Sequence, residues 1–257
     1  MWNKGLGWKI QRAAVSAAAV ACLVPAGVLL FGSLRVNGRF SLRQYEEILL
    51  GSKEFFAWFW NSAGYTAGIL ALCVPVAVLA AYGLSLHRFP GRNALLFLYT
   101  LLMLLPFQAT VVAQYLTLRS LGLLDTPAAI ILPCAFGAFG TFLLTQFMRG
   151  LDGEILEAAR LDGAGGGRIL LHIVCPLCKP AILSLVTLQA ISCWSMVDQP
   201  VVFLRSEALL PLSQRLSGQT FGGAAFAAAI LYAVVPMLLY LCCQKALEEG
   251  ISLTSIQ

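Results

Sequence analysis

Two groups of residues have types and spacing that invite a chemical reading. The first lies in residues 149–179, RGLDGEILEAARLDGAGGGRILLHIVCPLCK. Glu157, Ala158 and Ala159 are followed by Asp162, Gly163 and Ala164. Residues 154–161 are strong helix formers. Glu154, Glu157 or Ala158, and Leu161 share one face at three- and four-residue spacing. Gly163 supplies a break where φ turns positive, and residues 165–167 read as a flexible glycine hinge. Ile169, Leu170 and Ile173 begin an apolar stripe that leads to Pro176 and Pro180. The expected shape is a short surface helix, a sharp turn and a return into an apolar layer. That shape docks against a partner; a plain solvated connector needs neither the small-residue pair nor the glycine break. The second group is polar and sits in apolar runs: Asn61, Gln108, Gln114, Trp194, Asp198 and Gln199. Such groups can bond hydroxyls, and an indole face suits a sugar ring. The competing use for each is helix–helix hydrogen bonding.

No constellation of an enzyme is present in the sequence, so no residue is assigned a catalytic role. The run from Gly163 to Arg168 resembles a phosphate loop only superficially, because it lacks the GxxxxGK[ST] spacing. There is no HExxH or GxSxG, and no pair of acids inside an apolar run. Cys175 and Cys178 form a CxxC, but a zinc site needs a second pair and none exists, so no metal is expected. The other six of the eight cysteines lie inside apolar runs, where a thiol acts as a small hydrophobe. His87 and His172 are isolated in charged connectors.

The elements that must position these residues are membrane helices. The chain is 59% hydrophobic and 11% charged, with a mean hydropathy of +0.82. A soluble chain is about a quarter charged, and so few charges cannot cover a water-facing surface of this size. A spanning helix needs about 20 apolar residues. Six runs qualify, at 13–34, 62–86, 94–118 (bent at Pro106), 127–148, 180–204 and 223–243. The first is too long for the apolar region of a secretory signal. The expected fold is all-α and polytopic, with six transmembrane helices. Residues 1–12 form a cytoplasmic N-terminus, 13–249 the membrane domain with the cytoplasmic loop 149–179, and 250–257 a cytoplasmic tail. Six spans put both ends on one side, together with the 87–93 and 149–179 loops. That side carries ten of the 17 basic residues, which favours a cytoplasmic N-terminus. The net charge of +5 reflects basic residues at the ends of apolar runs, where lipid headgroups lie, so nucleic acid is not an expected partner and the bilayer is.

Glu157-Ala158-Ala159, Asp162-Gly163-Ala164, Ile173 and Pro176 resemble the EAA motif of ABC importer permeases. The ending in a proline pair, Pro176 and Pro180, resembles the carbohydrate branch of the maltose and glycerol-3-phosphate type. The similarity extends to Asn61-Ser62, Ala80-Ala81-Tyr82, Arg88-Phe89-Pro90-Gly91, Pro106, the run Leu121-Gly122-Leu123-Leu124-Asp125-Thr126, and the run from Phe139 to Leu144 with Gln146-Phe147. It covers about residues 60 to 250 of the sequence. Residues 165–167, the passage from Trp194 to Pro200, the short connector before the sixth span and the tail depart from the family pattern.

The resemblance implies a maltose-permease-like fold in a bacterial inner membrane. It implies a subunit of a binding-protein-dependent importer for a carbohydrate, polyol or sugar phosphate. The loop helix would be a coupling helix in a cleft of a cytosolic ATPase, with Glu157 making polar contacts, Ala158 and Ala159 allowing close approach and Gly163 making the turn. The implied partners are a second permease subunit in a heterodimer, two copies of the ATPase and an extracytoplasmic solute-binding protein. ATP and magnesium would sit on the ATPase, with no cofactor on this chain. The rival reading is a secondary transporter, which couples through intramembrane charge. Asp198 is the only acid deep in an apolar run, and it sits near the end of its span.

Overall fold

Lipid offers no partner to a backbone N–H or C=O, so long apolar blocks fold as helices. A computed structural model describes residues 4–36, 38–218 and 223–254. Its helices, in order, are α1 (Lys4–Ser33), α2 (Arg43–Glu46), α3 (Lys53–Leu86), α4 (Arg92–Leu104), α5 (Phe107–Ser120), α6 (Pro127–Ala135) and α7 (Ala138–Arg149). Then follow α8 (Gly153–Leu161), α9 (Gly166–Ile169), α10 (Cys175–Leu177), α11 (Lys179–Trp194), α12 (Asp198–Phe203), α13 (Leu212–Ser217) and α14 (Gly223–Thr254). Between α1 and α2, β1 (Arg35–Val36) pairs antiparallel with β2 (Arg39–Phe40), Arg35 opposite Phe40.

Among the described residues, four helical stretches are long and apolar enough to cross a membrane: Gln11–Ser33, Lys53–Leu86, Pro127–Arg149 and Ala224–Lys245. Two bent pairs bring the number to six if each is one span. One is α4 with α5, which meet at 101°. Its break is where the sequence put the bend. Pro106 forces the preceding Leu105 out of the helical region, to φ −73° and ψ 119°. The other pair is Gly166–Leu177 with α11, bent by 75°.

The structure corrects several expected boundaries. The fifth run is not one helix over 180–204. It stops at Trp194 and resumes as α12 at Asp198. Pro200 has no N–H to give the Met196 carbonyl, the partner a continuous helix would require. That carbonyl instead accepts the Ser213 hydroxyl at 2.5 Å. The 127–148 run is divided at Phe136 and Gly137. The second span starts at Lys53 instead of residue 62, so the aromatic connector before it is largely helical. The expected tail continues α14 as far as Thr254, and residues 255–257 lie outside the described residues. Residues 1–3 of the N-terminal segment and 219–222 of the last connector also lie outside them.

The chain divides into two compact units, Met1–Phe56 with Leu216–Val234, and Ala57–Arg215 with Val235–Gln257. In the first, the Ser33 and Tyr45 hydroxyls share a hydrogen bond of 2.7 Å, and the Gln44 amide donates to the Arg35 carbonyl at 2.8 Å. In the second, two buried clusters share the length of α3. One gathers Tyr65, Ile69 and Cys73 with Leu118, Ile130, Met196, Phe203 and Leu210. The other gathers Ala77 and Ala81 with Leu144, Met148, Leu156, Ile169, Leu170, Val174 and Leu185. Gly140 makes that second packing possible. A Cβ there would lie 3.2 Å from Ala77 and from Leu185, tighter than ordinary contact.

Candidate coupling site on the 149–179 loop

The helix α8 is closed at both ends by its own chain. At the start, the Asp152 carboxylate accepts the Glu154 N–H at 3.0 Å, an N-cap that satisfies one of the free donors. At the end, Gly163 takes φ +79°. Its N–H donates to the Arg160 carbonyl, and the Ala164 N–H reaches back to the Ala159 carbonyl, both at 3.0 Å. This is a Schellman closure, and it depends on a residue that tolerates positive φ. The turn at Gly163 is therefore where the sequence put it.

Residues 165–167 are not a loose hinge. Gly165 caps the next helix in extended conformation, and Gly166 and Gly167 are its first helical residues. A helix's first N–H groups need no intrahelical partner, which makes its first turn a tolerant place for glycine. A π-helical turn, Leu170–Val174, then carries the chain through α10 to the bend before α11. The Tyr82 hydroxyl of α3 donates to the Gly166 carbonyl at 3.1 Å, tying this start to a membrane helix.

One face of α8 is keyed into the bundle. Leu156 is 4% exposed and belongs to the same cluster as Leu144, Met148 and Ala181 of the spans. Ala159 and Ala164 pack against that cluster. Ala159 therefore serves the chain's own core, whereas Ala158 faces outward. The outward face also carries Glu154, Ile155, Glu157, Arg160, Leu161 and Asp162. Leu161 is 89% exposed and Ile155 45%. This face thus carries two exposed apolar side chains beside acids, an arginine and a small residue. The result is a short projection whose base packs on α3, α7 and α11.

The polar candidates in the apolar runs lie on separate elements, Asn61 on α3, Gln108 and Gln114 on α5, and Trp194, Asp198 and Gln199 on α11 and α12. Asn61 has another occupation. Its amide donates to the carbonyls of Ala208 at 2.7 Å and Leu210 at 3.1 Å. The neighbouring Ser62 accepts the Leu212 N–H at 2.9 Å, and the Tyr65 hydroxyl donates to the Leu209 carbonyl at 2.7 Å. These three residues of α3 pin the 208–212 loop. Gln114 donates within α5 to Thr110 at 3.0 Å. Trp194 is 3% exposed and meets Phe59 edge to face at 5.3 Å. Gln108 and Asp198 are exposed and Gln199 is half-buried. Trp194, Asp198 and Gln199 flank the break between α11 and α12.

Sequence reasoning gave no role to Asp125, which holds the 121–126 loop to the segment after α12. Its Oδ1 accepts the Arg205 and Ser206 N–H groups at 2.8 Å, and its Oδ2 accepts the Ser206 hydroxyl at 2.5 Å. Those bonds hold its carboxyl below the ordinary carboxylate range, the Ser206 hydroxyl contributing most. Asp125 also has φ +59°, and Asp tolerates this left-handed region better than most residues. Neither Cys175 nor Cys178 forms a disulfide, and no cluster able to hold a metal occurs among the described residues.

Comparison with known proteins places this arrangement. Residues 73–253 match the family described as binding-protein-dependent transport system inner membrane component. The chain is 26% identical over 254 residues to the arabinooligosaccharides transport system permease protein AraQ of Bacillus subtilis, covering 91% of this chain and 90% of that one. It is 31% identical over 185 residues to the sn-glycerol-3-phosphate transport system permease protein UgpE of Yersinia pestis, covering 69% of this chain and 66% of that one. A crystal structure of a bacterial ABC transporter involved in the import of alginate has a chain of the same fold. Its TM-score is 0.84 at 24% identity, over 95% of this chain and 97% of that one. With 73–253 matched, a stretch that holds α8 and every helix after it, the chain belongs to the family of binding-protein-dependent transport system inner membrane components, the membrane-spanning subunits of ABC importers.

Proposed function

We propose that this permease imports a carbohydrate or a related polyol or sugar phosphate, and that α8 is the element through which a cytosolic ATPase drives it. The observation that carries the reading is the construction of α8. It is capped at both ends, seated on the span core through Leu156, and open on the face bearing Glu157, Ala158 and Leu161. A partner that changes shape can move the spans only through a contact that differs between its two states. A stiff projection rooted in α3, α7 and α11 supplies such a contact, because displacing α8 displaces the core around Leu156. Glu157, Ala158, Asp162 and the turn at Gly163 form the contact; Ala159 and Ala164 hold it to the bundle.

The substrate class rests on relatives named for arabinooligosaccharides and sn-glycerol-3-phosphate. Gln108 and Asp198, which are exposed, and Gln114 and Gln199, which are half-buried, are candidate polar groups with accessible surface for a hydroxylated solute. Asn61 and Trp194 act on the path by holding its walls. The working importer pairs this chain with a second permease subunit, two ATPase copies that carry ATP and magnesium, and an extracytoplasmic binding protein. Both chain ends face the cytosol. The test is ATP-driven uptake in reconstituted membranes, with oligosaccharides, alditols and glycerol phosphates offered in turn. Uptake of one class, abolished by omitting the ATPase, supports the reading. Transport by the purified chain alone without ATP refutes it.

A further inference from the structure

On the membrane face that carries α8, the second unit encloses an open cavity of about 880 Å³. Four guanidinium groups line it, those of Arg88, Arg92, Arg149 and Arg160, with His87 beside them. Glu157 is the one acid among the described lining residues, so the lining carries a formal surplus of three positive charges, four arginines against one glutamate. Arg92 is committed to the fold. Its Nε and Nη2 donate to the Leu84 and Ser85 carbonyls at 2.6 and 2.8 Å, closing the end of α3. The Tyr82 and Ser85 hydroxyls are committed too, to the carbonyls of Gly166 and Ala81. Arg88, Arg149 and Arg160 are exposed, and none of them forms an ion pair with an acid among the described residues.

Position narrows what would satisfy them. Arg88 follows the end of α3, Arg92 opens α4, and Arg149 closes α7. Three of the four cations thus arrive from the ends of membrane helices, at the depth of lipid headgroups. Guanidinium forks match phosphate oxygens two at a time, which makes an arginine cluster a phosphate site more than a general anion site. The cavity is within the volume range of small-molecule sites, so a glycerophosphate-sized group fits. Basic pockets at helix ends on one membrane face are suited to anionic headgroups.

We propose that this cavity binds a phosphate mono- or diester through Arg88, Arg149 and Arg160, and that its occupant is the headgroup of an anionic phospholipid of the adjoining leaflet. The inference stands on the cavity and the membrane placement, and does not require the ATPase reading.

Native mass spectrometry of the full chain tests it, with phosphatidylglycerol and phosphatidylcholine supplied equally in detergent. The wild type retains phosphatidylglycerol with a preference of about tenfold or more. Arg88→Gln with Arg149→Gln lowers the preference to about twofold or less, and Arg88→Lys with Arg149→Lys keeps only part of it, since the charge is retained but the two-pronged guanidinium contact is lost. Arg39→Gln with Arg119→Gln, elsewhere on the chain, leaves it unchanged. Free glycerol phosphate at millimolar concentration does not displace the lipid; displacement would support the phosphate site and move its source to a soluble ester. Equal retention of the two lipids by the wild type would overturn the proposal, as would an undiminished preference in the glutamine variant. Loss of the lipid from chain purified with its ATPase would assign the arginines to an acidic surface of that partner, and would also overturn it. The wild-type competition needs no variant, so a poorly folding substitution cannot mask the result.

Discussion

The Ser213 hydroxyl donates to the Met196 carbonyl at 2.5 Å, the acceptor that Pro200 cannot serve. Both residues are buried. This single bond lets α11 end and α12 begin without leaving a buried carbonyl unpaired. Ser213→Ala should therefore destabilise the protein by about 1–3 kcal/mol, the cost of an unsatisfied buried acceptor. A lowered thermal midpoint of the purified chain in detergent checks this. An unchanged midpoint would mean that the break is held by packing alone.

Asn61→Ala removes two donors to the 208–212 loop. The expected outcome is a loss of about 1–3 kcal/mol of stability and faster proteolysis within that loop. Substrate affinity of the assembled importer should change little. A large fall in affinity with normal stability would return Asn61 to the substrate path.

Asp125 gives the molecule a pH dependence of defined sign. Its folded pKa lies below the ordinary 3.8, so the unfolded chain binds its proton first as pH falls. The stabilisation from the clasp is present above about 3.8 and is lost as pH drops through the depressed native value. Asp125→Asn should lower the midpoint at neutral pH, and the difference from wild type should shrink toward zero under strong acid. Melting curves of both proteins across that range are the measurement. A difference independent of pH would show that the carboxylate charge does not matter.

Much of this was legible in the sequence because lipid leaves few choices. Apolar run length announced the membrane helices, Pro106 announced a break, and Gly163 announced a positive-φ turn. Pro200 carried the same kind of signal as Pro106, but lay in a run still apolar enough to read as one helix. The glycines at 165–167 misled for a different reason. Glycine is poor in the middle of a helix yet tolerated in its first turn, and composition alone does not separate the two. The roles of Asn61 and Asp125 depend on partners about 80 to 150 positions away in sequence, at Ser206, Ala208 and Leu210. No local pattern encodes such pairings. Ala159 and Ala158 are adjacent and identical, and only helix phase around Leu156 decides which faces the core.

Leu161 separates docking from folding. At 89% exposure its loss costs the isolated chain little, within about 0.5 kcal/mol. As an apolar anchor at a partner surface it is worth about 1–2 kcal/mol or more. Leu161→Ser should leave the thermal midpoint unchanged and reduce ATPase retention about fivefold to thirtyfold. Pull-down of the ATPase by the chain in detergent reads this, and equal retention would show that the outward face of α8 is not covered by the partner.

The most direct test of the account is ATP-driven uptake, measured together with ATPase co-purification, for Glu157→Lys and Gly163→Pro in reconstituted membranes. Proline fixes φ near −65° and has no N–H. It can neither adopt the +79° of Gly163 nor donate to the Arg160 carbonyl. Lysine at 157 reverses a charge at the contact face, where truncating a paired polar group costs about 2–5 kcal/mol. Both positions lie outside the membrane helices, so insertion should stay normal. The account predicts normal membrane levels with at least about a tenfold loss of ATPase retention and a matching fall in uptake. Wild-type uptake and retention in both variants would contradict it and reduce the 149–179 loop to a connector.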